Sequence, residues 1–218
     1  MTVSIQARWI AAQIGERRFH VDVVPEWGDH ANPDVRRVRE RLMRQWYRGM
    51  LDLPEFRWVS VTDYGCGPQS ILLDIPGASD VTAMAVDPLR FTDDDEANYR
   101  RSGVQRYIGS AEHYDGPVTQ EGWMYNCLQH TLDWRKALQT ALRHTGEVFR
   151  LFEWVEVPTD SLHLHTLHEP ELRAVLTEAG FDEMGMVRGE FTRGKCLPSA
   201  FYAGIWQRVS SGQLDGIA

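Results

Sequence analysis

The run VTDYGCGPQSILL, Val61–Leu73, decides the fold. An apolar strand, Trp58–Asp63, runs directly into an acidic residue and then Gly-Cys-Gly-Pro. Glycine has no Cβ and tolerates positive φ, so Gly65 and Gly67 mark a turn that a ligand can approach closely. A second apolar strand, VTAMAV at Val81–Val86, ends on Asp87, 20 residues after Gly67. In nucleotide sites an acid at the end of the second strand accepts hydrogen bonds from ribose hydroxyls. Together the two features predict a site for an adenosine-containing ligand.

Working outward, strand and helix patterns alternate from Phe56 onward. Strands are expected at Gln105–Ile108, Gly122–Cys127 and Glu147–Val157. Helices are expected at Trp134–His144 and Glu169–Ala179, the latter placing Leu172, Val175, Leu176 and Ala179 on one face and ending at Gly180. Phe181–Val187 and Ser199–Val209 form a final strand pair. Alternation of this kind implies a parallel, doubly wound sheet, whose ligands bind beyond the carboxyl ends of its strands. Before Phe56 two helices are expected. Ser4–Phe19 carries Ile5, Trp9, Ile10 and Ile14, and Pro33–Leu51 carries Val35, Val38, Leu42, Trp46 and Met50. The loop VDVVPEWGDHANP joins them. The division is therefore 1–55, a helical cap, and 56–218, the α/β domain.

Composition narrows the function class. The chain has 218 residues, 43% of them apolar and eight of them Trp, enough for one sizeable core. A formal charge of −8 opposes broad nucleic-acid or membrane-surface binding, which needs positive potential. Three cysteines, Cys66, Cys127 and Cys196, do not suggest a disulfide framework. A reduced, cytoplasmic setting follows. No apolar run has membrane-spanning length. The N-terminus has Arg8 within its apolar stretch and does not read as a signal peptide.

DYGCGP (Asp63–Pro68), AVDPL (Ala85–Leu89), GSAEHY (Gly109–Tyr114), MYNCLQHTLDWRKAL (Met124–Leu138) and LHTLHEPELRAVLTEAGF (Leu164–Phe181) resemble successive motifs of the class I S-adenosylmethionine-dependent methyltransferases. The resemblance spans about Val59 to Val209. It implies a Rossmann-like, doubly wound, mostly parallel sheet with a C-terminal antiparallel strand pair and an N-terminal helical cap. It implies S-adenosylmethionine as cofactor. Asp63, Gly65, Cys66 and Gly67 are then expected to face its methionine part. Asp87, Pro88 and Leu89 follow, with Asp87 holding the ribose diol and Leu89 packing on adenine. Ser110, Ala111 and Glu112 are expected to line the adenine edge, and Asn126 and Cys127 to close the site. The segment RWIAAQIGERRFH is similar to N-terminal helices that cover the cofactor cleft in some bacterial and phage methyltransferases. Two positions depart from the family pattern. Gln69 stands where a third small residue is usual, and Ser110 where Asp is common.

The rival is an NAD-type domain. Gly65-x-Gly67-x-x-Ser70 lacks the third glycine that packs helix on strand, and the terminal strand pair resembles the methyltransferase hairpin. Two residues are candidates for proton transfer. His130 follows the fourth strand and is expected to face the cleft, or else to cap the helix beginning near Leu132. Glu153 lies in an apolar strand, where a carboxylate is costly unless it is paired with an arginine or serves a site. The run HLHTLH, with His163, His165 and His168, raises zinc. A loop entering a helix, with Thr166 and Glu169 as a capping box, is the preferred reading. No metal is expected. Arg36, Arg37, Arg39, Arg41, Arg44 and Arg48 form a solvated face or meet an anionic substrate.

The expectation is a cytoplasmic methyltransferase, monomer or homodimer, acting on a small molecule, such as a sugar or secondary metabolite, with O-methylation ahead of N-methylation. The alternatives are a protein that binds S-adenosylmethionine or S-adenosylhomocysteine without methyl transfer, and an enzyme modifying RNA or protein.

Overall fold

A computed structural model describes residues 4–21, 60–74, 81–191 and 199–209, together with positions 32, 34–35, 38, 41–42, 46 and 49. The expected strand start at Trp58, most of the Pro33–Leu51 helix and the loop before it lie outside the described residues. Five of the six arginines on that helix do so too.

The described elements are α1 (Ile5–Val21), β1 (Ser60–Tyr64), β2 (Thr82–Asp87), α2 (Asp93–Arg101), β3 (Gln105–Ile108), β4 (Thr119–Tyr125), α3 (Trp134–Arg143), β5 (Thr145–Val155), α4 (Glu169–Glu178), β6 (Phe181–Phe191) and β7 (Ser199–Arg208). The seven strands form one sheet in the order β3-β2-β1-β4-β5-β7-β6. β1 to β5 pair in parallel, while β7 runs antiparallel to both β5 and β6. The expected α/β sheet and its terminal antiparallel pair are both present. Chain order reverses at β1 and β4, so the carboxyl ends of these strands flank the switch point where such sheets bind ligands.

Each face of the sheet carries its own core. On one side Met84, Val86, Met124, Phe149 and Leu151 pack with Leu138, Leu142, Leu172 and Leu176 of α3 and α4. On the other, Val61, Ala83, Ala85, Trp123, Phe152 and Phe201 pack with Tyr99 of α2. Full burial of one such Leu or Phe contributes about 1.5–3 kcal/mol.

Several boundaries differ from the expectation, each for a local reason. β4 begins at Thr119, because its polar start is satisfied internally. The Thr119 and Thr62 hydroxyls lie 2.9 Å apart. Glu121 meets Arg150 of β5 at 3.1 Å and accepts from Trp123 Nε1 at 2.7 Å. β6 continues past Val187 to Phe191, paired with β7 apart from a register shift between Glu183 and Gly185. Helix α2 has no apolar periodicity and gave no signal in the sequence. Its stability comes from a capping box between Thr92 and Asp95 and from acidic residues in its first turn.

The capping box expected at Thr166 and Glu169 does not form. His168 is the N-cap of α4 and makes no side-chain cap bond. Glu169 instead pairs with Arg173 and Arg188. The aliphatic residues of α1 are not its docking face: Ile5, Ile10 and Ile14 are 45%, 49% and 65% exposed. The helix buries Ala12 and half-buries Trp9, Gln13, Glu16, Phe19 and His20.

Candidate cofactor site at the carboxyl edge of the sheet

The glycine turn is built by the ends of β1 and β2. The amides of Gly65 and Cys66 both donate to the Val86 carbonyl, at 2.8 and 3.1 Å. Gly65 has φ +70° and Gly67 +59°, the left-handed region that favours glycine. Gly65 has a second reason to lack a side chain: a Cβ there would lie 2.3 Å from Cys127 Cβ. The turn is tied from below as well. Ser70 Oγ donates to Asp63 at 2.5 Å, and Tyr99 Oη donates to the Gly67 carbonyl at 2.5 Å. Gln69, one of the two departures, donates to Asp95 at 3.3 Å and so braces α2.

Asp87 links the turn to the end of β2. One carboxylate oxygen accepts from Gly67 N at 3.1 Å and the other from Leu89 N at 2.9 Å. Burial raises its pKa, against the opposing pull of those amides and of Arg106. Arg106 was not singled out in the sequence, although a cation in a short strand was a signal. Pro88 and Leu89 are half-buried just beyond Asp87.

Past β3 the expected adenine-edge residues separate. Ser110 Oγ lies 3.0 Å from His113 Nδ1, and Ala111 is buried against the core. Glu112 accepts from the amides of Leu132 and Asp133 at 2.8 and 3.2 Å, bridging to the start of α3. Its other oxygen is buried with no partner among the described residues. Beside it a cavity of roughly 430 Å³ opens, lined by Ile5, Glu112, His113, Asp133, Trp134 and His165 among others.

The turn after β4 completes the edge. Asn126 leaves the strand with φ +51° and donates its amide to Phe152 O at 2.7 Å. Cys127 packs against Gly65, and its thiol lies 3.4 Å from the Tyr64 carbonyl. The Cys127 and Leu128 amides both donate to one oxygen of Glu153 at 2.9 Å. Glu153 is fully buried and its other oxygen is unpartnered among the described residues. Burial pushes its pKa up to about 7, despite those two amides and His130 nearby. Among the described residues no arginine pairs with Glu153; Arg150, on the same strand, serves Glu121 instead.

His130 does not cap α3; Asp133 does, through its bond from Lys136 N. The imidazole faces α1, with Nδ1 3.1 Å from Glu16, which also lies 3.4 Å from His20. Burial disfavours the charge on His130, but Glu16 outweighs it and raises the pKa. Burial also works against the Glu16 carboxylate, and the two histidines hold it well below the usual range. A protonated, paired imidazole accepts no proton, so a base role for His130 requires α1 to move. Neither Glu16 nor His20 stood out in the sequence.

Of the described arginines on the earlier helix, Arg41 meets Asp74 at 3.1 Å. The three imidazoles of HLHTLH have separate partners: His163 with Asp160, His165 with the Thr131 carbonyl and His168 with Glu156. Among the described residues no His, Cys, Asp or Glu group is placed to hold a metal, and no helix is long and apolar enough to cross a membrane.

No family model matches the chain, and no curated protein matches it in sequence. Solved structures do share the fold. A Burkholderia thailandensis 1,6-didemethyltoxoflavin-N1-methyltransferase, with S-adenosylhomocysteine and its substrate bound, superposes with TM-score 0.61 at 16% identity, over 96% of this chain and 92% of that one. Magnesium protoporphyrin IX methyltransferase from Synechocystis PCC 6803, with bound S-adenosylmethionine, gives 0.59 at 12%, over 91% and 97%. The [4+2]-cyclase SpnF gives 0.60 at 12%, over 77% and 80%. The fold is thus that of class I methyltransferases, and it also carries a different reaction.

Proposed function

We propose that this protein binds S-adenosylmethionine at the carboxyl edge of β1, β2 and β4 and transfers its methyl group to a small molecule, with oxygen the favoured acceptor over nitrogen. The observation that carries the reading is the coupling of Gly67 to Asp87. The carboxylate that fixes the glycine turn ends β2, the position from which an acid would hold a ribose diol, beside two glycines with no Cβ to obstruct a ligand.

The residues present fit that group. Asp63 and Gly65–Gly67 would receive its methionine part, Asp87 its ribose, and Leu89 its adenine. When bound, S-adenosylmethionine supplies an electrophilic methyl carbon. The chain's task is then to position the acceptor and exclude water. A base is needed where the acceptor must lose a proton. Glu153, poised near neutrality, is the candidate best placed to take one. His130 becomes available on separation from Glu16. Helix α1, spanning the post-β4 turn and Phe91 by way of His130 and His20, is the lid of the site. The cavity beside Glu112 has the volume of a small-molecule site. Acidic net charge and free cysteines fit a cytoplasmic enzyme acting on a metabolite rather than on RNA.

The second reading, binding without methyl transfer, is favoured by the pairing of His130 with Glu16. Incubation with methyl-labelled S-adenosylmethionine and a metabolite extract separates the two. Label in a small-molecule product supports the enzyme, and tight binding with no labelled product supports the binding protein.

A further inference from the structure

Arg106 sits on β3, the outermost parallel strand, yet its side chain is only 8% exposed. It lies between two rings, 5.1 Å from the Phe91 centroid and 4.9 Å from that of Tyr99. Its guanidinium reaches three separate parts of the site. Nη1 donates to Cys66 Sγ in the glycine turn at 2.9 Å and to the Ala85 carbonyl of β2 at 3.1 Å. Nη2 donates to the Leu89 carbonyl, just past Asp87, at 3.0 Å. Nε lies 3.5 Å from Glu96 of α2.

A lysine ammonium has no planar fork and could not span these acceptors together. A buried cation is costly unless it is paired and hydrogen-bonded, and Arg106 meets both conditions with groups around Asp87. Asp87 is 8% exposed and accepts from the Gly67 and Leu89 amides, while Arg106 grips residues on both sides of it.

We propose that Arg106 is a positioning residue for the cofactor: its fork sets the Cys66–Gly67 turn and the Leu89 carbonyl in register with Asp87, so that the carboxylate is placed to receive a ribose diol. The inference rests on the cofactor reading and adds to it a residue that never touches the ligand. Among the described residues, the titratable and charged groups about Asp87 are Arg106 from β3, His20 from α1 and the thiols of Cys66 and Cys127. Those about Arg106 are Cys66, Tyr99, Asp87 and Glu96. Arg106 and His20 favour the ionised Asp87; burial opposes it. With Arg106 gone, Asp87 takes up its proton at higher pH, and affinity for a diol falls away sooner on acidification.

The test is calorimetric titration of full-length protein with S-adenosylhomocysteine between pH 5.5 and 8.5, for wild type, Arg106→Met and Arg106→Lys, with near-ultraviolet circular dichroism to establish folding. The proposal expects folded Arg106→Met to bind about tenfold or more weakly at pH 7, on the order of 1.4 kcal/mol, and to lose binding at a higher pH than wild type. Arg106→Lys restores the pH profile but only part of the affinity. A folded Arg106→Met with wild-type affinity and profile would overturn the proposal and leave the cofactor reading intact. Loss of folding in both variants would also overturn it, assigning Arg106 to the fold alone. If folded wild type binds no S-adenosylhomocysteine, the cofactor reading fails and the role of Arg106 fails with it.

Discussion

Glu16 and His130 form an ion pair 3.1 Å across, joining helix α1 to the turn after β4. The two residues are 114 positions apart in the chain, and the contact holds the N-terminal helix against that turn. Gln13 Nε2 reaches the His130 carbonyl at 3.5 Å, and Gly15 packs so closely on Leu162 that a Cβ there would lie 2.6 Å from its Cδ2.

The pair makes the docking of α1 pH-dependent, and the sign follows from the two shifts. His130 is raised, so its contribution is full below its ordinary value of 6.5 and lost as pH climbs through the folded value. Glu16 is lowered, so its contribution is full above its ordinary 4.5 and lost only as pH falls through the folded value. Docking of α1 is therefore strongest at pH 4.5–6.5 and weakens in alkali. Trypsin cleavage at Arg17 and Arg18, followed from pH 5.5 to 9, should accelerate with pH beyond the enzyme's own profile. In Glu16→Gln cleavage should be fast throughout.

Glu153 acts in the same direction as His130, its contribution falling as pH rises. An acid whose folded pKa stands at about 7, above the ordinary 4.5, loses stabilisation as pH rises between those values. Above pH 7 the ionised group costs on the order of 3 kcal/mol, at about 1.4 kcal/mol per pKa unit. Urea denaturation should show wild type losing stability between pH 5 and 8 and Glu153→Gln losing much less. If Glu153 is the base, kcat/KM rises through about pH 7 in wild type and that rise is absent from the variant.

Gly65→Ala tests the turn. The left-handed φ costs an alanine roughly 1–2 kcal/mol, and overlap with Cys127 about 1–3 more. The melting temperature should fall, and with it cofactor affinity. Adding Cys127→Gly removes the overlap but not the backbone strain, so the double variant should recover part of the loss. No recovery would mean that the contact with Cys127 is not what excludes a side chain.

Much of the sheet was legible in the sequence because apolar runs and turn glycines are local signals. Gln105–Ile108 and the start of α3 at Trp134 fell where expected. What escaped depended on partners far along the chain. The start of β4 at Thr119–Glu121 looks polar until Thr62 and Arg150 are beside it. Helix α2 relies on caps rather than on an apolar stripe. The turn at Gly65 and Gly67 and the end of β2 at Asp87 could be read from spacing. The turning of His130 toward Glu16 and of Glu112 toward Leu132 could not, because each is set by a helix end whose position only the tertiary fold fixes. Arg106 was hidden for the same reason: its acceptors lie in three different segments.

The most direct test of the central claim is calorimetric titration of wild type and Asp87→Ala with S-adenosylmethionine, S-adenosylhomocysteine and NAD. The account predicts micromolar binding of the first two, none of NAD, and a loss of at least about tenfold in Asp87→Ala, on the order of 1.4 kcal/mol or more for a charged hydrogen-bonding group. Folded wild type that ignores both sulfur ligands, or an Asp87→Ala variant that binds them undiminished, would contradict it.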